Sequence, residues 1–93
     1  MEFEWDEAKS ERNRIERGSP FRLAITLFEG SFVEREDVRR DYREVRISAI
    51  GEAEGKILAC VYTDRDGNRR IISLRRASRK ERHDYRASQL GGH

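Results

Sequence analysis

Apolar positions along the chain switch between a period of two and a helical period, and the switches lay out the elements. Residues 57–62 (ILACVY) form an unbroken apolar run, which predicts an interior strand covered on both faces. Asp66-Gly67 follows, a dipeptide that adopts φ > 0 at both centres and so predicts a two-residue hairpin turn into a second strand. A strict hairpin on that turn opposes Arg65 to Asn68, Tyr62 to Ile71, Val61 to Ile72, Cys60 to Ser73 and Leu58 to Arg75. Upstream, Val45, Ile47 and Ala49 alternate with Arg46, Ser48 and Ile50. This predicts a half-buried strand joined to the interior one by a loop over residues 51–55.

The N-terminal half reads differently. Phe3 and Trp5 alternate with Glu2 and Glu4, a short opening strand. Asp6 can cap a helix over 7–17 that Gly18 closes, and its narrow apolar stripe, Ala8 and Ile15, predicts a mostly solvated helix. Ser19-Pro20 restarts the chain as a cap with proline in the first turn. The helix over 21–28 then carries Phe21, Leu23, Ala24, Ile25, Leu27 and Phe28, the main cover of the sheet. Gly30 ends it, Phe32-Val33 suggests a short strand, and 34–44 reads as an exposed, mixed-charge turn region. Near the C-terminus Ser78-Arg79-Lys80-Glu81 has capping-box spacing, so a helix is expected from Arg79. The order is strand, two helices, three or four antiparallel strands, helix. That defines an α+β fold in one domain over 1–88, with a frayed tail over 89–93.

Charge sharpens this picture. Residues 69–82 hold seven basic side chains against the single acid Glu81, a local charge of +6 in a chain whose net charge is +2. Six of the seven are arginines, which bind phosphate in bidentate fashion and stack on bases. The other composition signals mainly exclude. No apolar run approaches the ~20 residues of a membrane span, and the acidic N-terminus is unlike a secretory signal, so a soluble cytoplasmic protein is expected. The single Cys60 lies in the interior strand and excludes an intrachain disulfide. Cys60, His83 and His93 lack zinc-ligand spacing, and there is no phosphate-binding loop or dinucleotide fingerprint, so no cofactor is expected.

The sequence also carries a resemblance. Phe3-Glu4-Trp5-Asp6, Lys9, Asn13, Gly18, Phe21, Ala24, Arg46, Ile50-Gly51, Arg70-Ile71-Ile72-Ser73, Arg75-Arg76-Ala77, Glu81 and Tyr85 together resemble the BrnT family of type II toxins, over nearly the whole chain. The resemblance implies a RelE-like fold and a ribonuclease that halts translation and cuts RNA without a metal. It also implies a BrnA antitoxin as partner, with operator DNA bound only through the antitoxin. One departure is Glu16-Arg17-Gly18, where the family usually reads Lys-His-Gly. It leaves a second reading open, an attenuated or non-catalytic scaffold that binds nucleic acid or antitoxin in a repressor complex.

Metal-free RNA cleavage deprotonates a 2′-hydroxyl, stabilises charge on the phosphate and protonates the leaving 5′-oxygen. Arginine suits the second task and, being always protonated, not the others. Arg46, Arg70, Arg75 and Arg76 are expected on strands. Simple alternation puts Arg70 and Arg76 on one face and Arg75 on the other, unless a bulge intervenes. The resemblance adds weight to Arg46 and Arg75. For proton transfer, Glu81 is a candidate base, although the capping box alone explains it. Tyr85, one turn further on, is a candidate donor or a packing residue. Arg17, Arg70, Arg76, Arg79, Lys80 and Tyr62 complete the expected nucleic-acid contacts. An acidic or amphipathic antitoxin segment is expected to lie across the same basic element.

Overall fold

The computed structural model describes residues 1–38 and 43–91. Its elements are β1 (Glu2–Glu4), α1 (Glu7–Arg17), α2 (Leu23–Glu29), β2 (Phe32–Glu36), β3 (Ile47–Ala53), β4 (Lys56–Arg65), β5 (Asn68–Arg76) and α3 (Arg79–Gly91). The α+β class holds, but the sheet has five strands, in the order β1-β5-β4-β3-β2, rather than three or four. It is mixed, because β1 runs parallel to β5 with Phe3 opposite Arg69, while the other pairs are antiparallel.

Both caps of α1 form as the sequence predicts. The Asp6 carboxylate accepts from the Lys9 amide at 3.1 Å, and Gly18 at φ 71° donates to Arg14 O. The inward face differs from expectation. Ile15 is 68% exposed, and the residues turned inward are polar. Ser10 is buried and accepts from the Phe21 amide at 2.9 Å, while the Asn13 amide donates to Ser19 O and, at 2.8 Å, to Leu74 O. α1 is therefore held by hydrogen bonds to backbone that its neighbours leave unpaired. α2 begins at Leu23 rather than Phe21 and without a side-chain cap. Turn bonds from Leu23 N to Pro20 O and from Ala24 N to Phe21 O lead into it.

Two expected loops are strands instead. β2 continues through Glu36, its pairing prolonged by the Asp37 amide donating to Arg46 O at 2.7 Å; of the expected turn region, residues 39–42 lie outside the described residues. β3 runs through Ala53, so the expected loop shrinks to the two-residue turn Glu54-Gly55, both at positive φ (51° and 77°). α3 extends through Gly91, so the expected tail begins as helix, and 92–93 lie outside the described residues.

Alternation along β4 builds two cores. Leu58, Cys60 and Tyr62 face α2, where Leu23, Ala24 and Leu27 meet Ala49, Ile71 and Leu74. On the other face Ile57 and Ala59 join Ile50, Ala77 and Tyr85 beneath α3. Cys60 is buried as expected, and burial pushes its thiol up to about 12. The hairpin register holds from Arg65–Asn68 to Tyr62–Ile71 and then slips by one residue. Val61 opposes Ser73, Cys60 opposes Leu74, Ala59 opposes Arg75 and Leu58 opposes Arg76, which leaves Ile72 as a β-bulge. The cause is the core. Without the extra residue Ser73 would enter the α2 core and Leu74 would leave it, forfeiting about 1.5–3 kcal/mol for the leucine alone.

Gly51 sits where α2 crosses β3, and a Cβ there would come within 2.8 Å of Leu27 Cγ. Gly51→Ala is expected to lower unfolding free energy by about 1–3 kcal/mol. Urea denaturation followed by circular dichroism checks this, and an unchanged midpoint would refute the close approach.

Candidate active site

The bulge at Ile72 decides what the end of β5 presents. Beyond it Leu74 and Arg76 lie on the α2 side, while Ser73 and Arg75 lie on the α3 side together with Arg70, which pairs with Thr63. Arg70 and Arg75 thus share a face, and Arg76 is on the opposite one, so the simple alternation is corrected by this extra residue. The chain then leaves the sheet with the Ala77 amide donating to Ile57 O at 2.9 Å, and α3 starts at Arg79. The capping box forms in both directions, Ser78 Oγ accepting from the Glu81 amide at 3.2 Å and Glu81 Oε1 from the Ser78 amide at 2.7 Å.

The same carboxylate binds Arg75. Nη1 and Nη2 donate to Oε1 and Oε2 at 2.7 and 2.9 Å, a bidentate pair. The Arg75 guanidinium, with the Ser78 amide, holds the Glu81 carboxyl down to about 2 against the opposing effect of burial. Glu81 therefore stays ionised, and at rest it is a weak base.

α3 covers only part of this face, leaving a trough beside the Arg75–Glu81 pair. Its floor includes Ser48 and Val61, which face each other across β3 and β4. One hollow of about 330 Å³ is lined by Arg35, Asp37, Ser48, Val61, Arg75 and Glu81. A second, of about 430 Å³, shares Arg35, Ser48 and Glu81 and continues between α3 and β2 past Val33, Ile50, Asp84 and Tyr85.

Of the residues expected at a site, Arg75, Glu81, Lys80 and Tyr85 line this trough. The Tyr85 ring is wall, and its hydroxyl donates to Ser31 O at 3.0 Å, with burial raising its pKa. Arg79 is exposed in the first turn of α3. Arg70 faces the α3 side but contacts Glu4 at 3.4 Å. Arg46 precedes β3, half-buried, with Glu44 at 3.9 Å. Arg17 is exposed one turn beyond Asn13, and so follows the contact that holds α1 to β5. Tyr62 is a correction. It is 2% exposed on the α2 face, bonded through its hydroxyl to Glu34 and covered by the Arg69 guanidinium at 4.1 Å, which leaves no ring face for a base. Arg35, Ser48 and Asp84 were missed. Arg35 lay in a stretch read as loop, whereas Asp84 was legible, being four residues after Lys80 and three after Glu81 on the same helix. Among the described residues no three His, Cys, Asp or Glu side chains gather as metal ligands, and no helix is long and apolar enough to cross a membrane.

Residues 5–81 match the family described as the ribonuclease toxin, BrnT, of type II toxin-antitoxin systems. The match takes in α1, α2, all of β2–β5, the start of α3 and the Arg75–Glu81 pair, and the chain belongs to this family. A search of curated proteins finds no match.

The depressed carboxyl has a thermodynamic consequence. In the unfolded chain Glu81 titrates near 4.5, and in the folded one near 2. Its contribution is thus complete above about 4.5 and is lost as pH falls towards 2. Glu81→Gln should cost about 1–2 kcal/mol at pH 7, discounted for the solvent that reaches Arg75. The gap to the parent should close in denaturation curves taken between pH 5 and pH 2, and a gap independent of pH would refute the pairing.

Proposed function

We propose that this ribonuclease toxin is a metal-independent endoribonuclease that arrests translation and is neutralised by a BrnA-like antitoxin. The observation that carries the reading is the bidentate Arg75–Glu81 pair at the mouth of an open trough. A phosphate entering that trough offers Arg75 the same fork of oxygens that Glu81 does. As the guanidinium turns to the phosphate, Glu81 loses the stronger of its two stabilising contacts, and its carboxylate becomes a better base. It then takes the 2′-hydroxyl proton while O2′ bonds to phosphorus and the P–O5′ bond breaks, giving a cyclic phosphate. Solvent in the trough protonates the departing 5′-oxygen. Arg75 stabilises the charge that develops on the phosphate, the term of largest weight in such reactions.

Arg79 extends the contacts to flanking phosphates and Lys80 those to the bound strand, with Arg70, Arg46, Arg76 and Arg17 as the outlying basic surface. Tyr85 serves as wall and positioning residue. The antitoxin lies across the same element with acidic side chains, and operator DNA is reached only through it. The second reading, a binding scaffold without cleavage, draws support from the resting pair, because a carboxyl held near 2 accepts no proton until Arg75 is drawn away.

Purified protein incubated with RNA in EDTA separates the two, with 2′,3′-cyclic phosphate ends expected. Arg75→Ala should lower the cleavage rate by about 10²-fold or more and relieve growth arrest, while its circular dichroism and cooperative thermal unfolding show a folded chain. Arrest that persists in a folded Arg75→Ala variant would remove Arg75 from the site.

A further inference from the structure

The part of the trough that the cleavage chemistry does not use is the slot between α3 and β2. Its inner walls are apolar, made by Val33, Ile50 and the ring of Tyr85, and its rim is charged. Lys80 and Asp84 stand on that rim, one turn apart on α3, with Nζ and Oδ2 2.8 Å apart. Both are well exposed, Lys80 at 84% of its side chain, so the pair can open towards a ligand at little cost. A planar, apolar-faced group with a polar edge fits such walls and such a rim.

The rim chemistry narrows the group. A carboxylate offers two acceptors side by side, and the adjacent ammonium offers donors only. Guanine presents the complement on its Watson–Crick edge, N1–H and N2–H₂ as neighbouring donors and O6 as the acceptor beside them. Adenine and cytosine each offer one donor next to a ring acceptor, and uracil offers a single N–H between two acceptors. The slot and the Arg75 hollow share Arg35, Ser48 and Glu81, so a base in the first and a phosphate in the second can belong to adjacent parts of one strand.

We propose that the slot between α3 and β2 is a nucleobase subsite selective for guanine, with Asp84 reading N1 and N2, Lys80 reading O6, and Val33, Ile50 and Tyr85 clasping the ring. This rests on the ribonuclease reading for its biological use but not for its test. Binding is read by NMR from the methyl resonances of Val33 and Ile50 during titration with GMP, AMP, CMP, UMP and inorganic phosphate. GMP should shift both sets of methyls and bind about ten-fold more tightly than the other nucleotides, and inorganic phosphate should leave them unmoved. Asp84→Asn should erase that preference, and Lys80→Met, at a position too exposed to unfold the chain, should reduce it.

Equal affinity for the four nucleotides, a preference that survives Asp84→Asn, or methyl shifts that appear only with an antitoxin peptide would each overturn the subsite, the last in favour of a protein side chain. Oligoribonucleotides containing a single guanine should be cut next to it. Cleavage without regard to guanine overturns the subsite alone, whereas GMP binding without any cleavage leaves the subsite standing and overturns the ribonuclease mechanism.

Discussion

The site depends on one residue too many in β5. A strand that must deliver Ile71 and Leu74 to the same core cannot keep a period of two, since three residues separate the positions. The chain resolves the conflict by letting Ile72 bulge, and the pairing of Tyr62 with Ile71 and of Val61 with Ser73 on either side of it fixes where. Everything beyond is turned over. Arg75, which strict alternation would drive against Leu58 in the α2 core, emerges on the α3 face with Arg70. The hydrophobic requirement of Leu74 thereby sets the direction of a guanidinium, with no electrostatic term involved in the choice.

What Arg75 meets there is a second economy. Glu81 closes the capping box of α3 through Oε1 and pairs with Arg75 through that oxygen and Oε2. Helix initiation and charge pairing are therefore coupled, because the Ser78 amide and the arginine fork both donate to Oε1. The pair lies partly open to water, so its strength is moderate, and the proposed mechanism depends on that moderation. A deeply buried pair would keep its arginine, while one wholly in solvent would not orient it.

Local chemistry made much of this legible. Asp66-Gly67, Asp6 with Gly18, and Ser78 with Glu81 each act over two to thirteen residues, and each formed where its residue types predicted. Arg75, Glu81, Lys80 and Tyr85 were singled out separately, from charge, capping spacing and family resemblance. What joins them is a bulge imposed by packing between distant segments, which no local pattern encodes. Glu54-Gly55 escaped notice because glutamate seldom takes a positive φ, and the outer half of β2 because Glu34, Arg35 and Glu36 read as solvated loop while pairing at a sheet edge. Tyr62 shows the opposite error. An aromatic in a basic neighbourhood invites a stacking role, but alternation along β4 points it into the α2 core.

The parallel pairing of β1 with β5 has a bearing on how the polypeptide is made. Residues 2–4 find their partners at 68–70, and the Asn13 amide waits for Leu74, so this segment has nothing to dock against until residues 68–74 have also left the ribosome. Vectorial synthesis thus delivers Arg75 and Glu81 at nearly the same moment as the strand that completes the sheet. Chains truncated before residue 75 lack both halves of the pair and the complete strand that β1 needs, so neither the full sheet nor the trough can form in them.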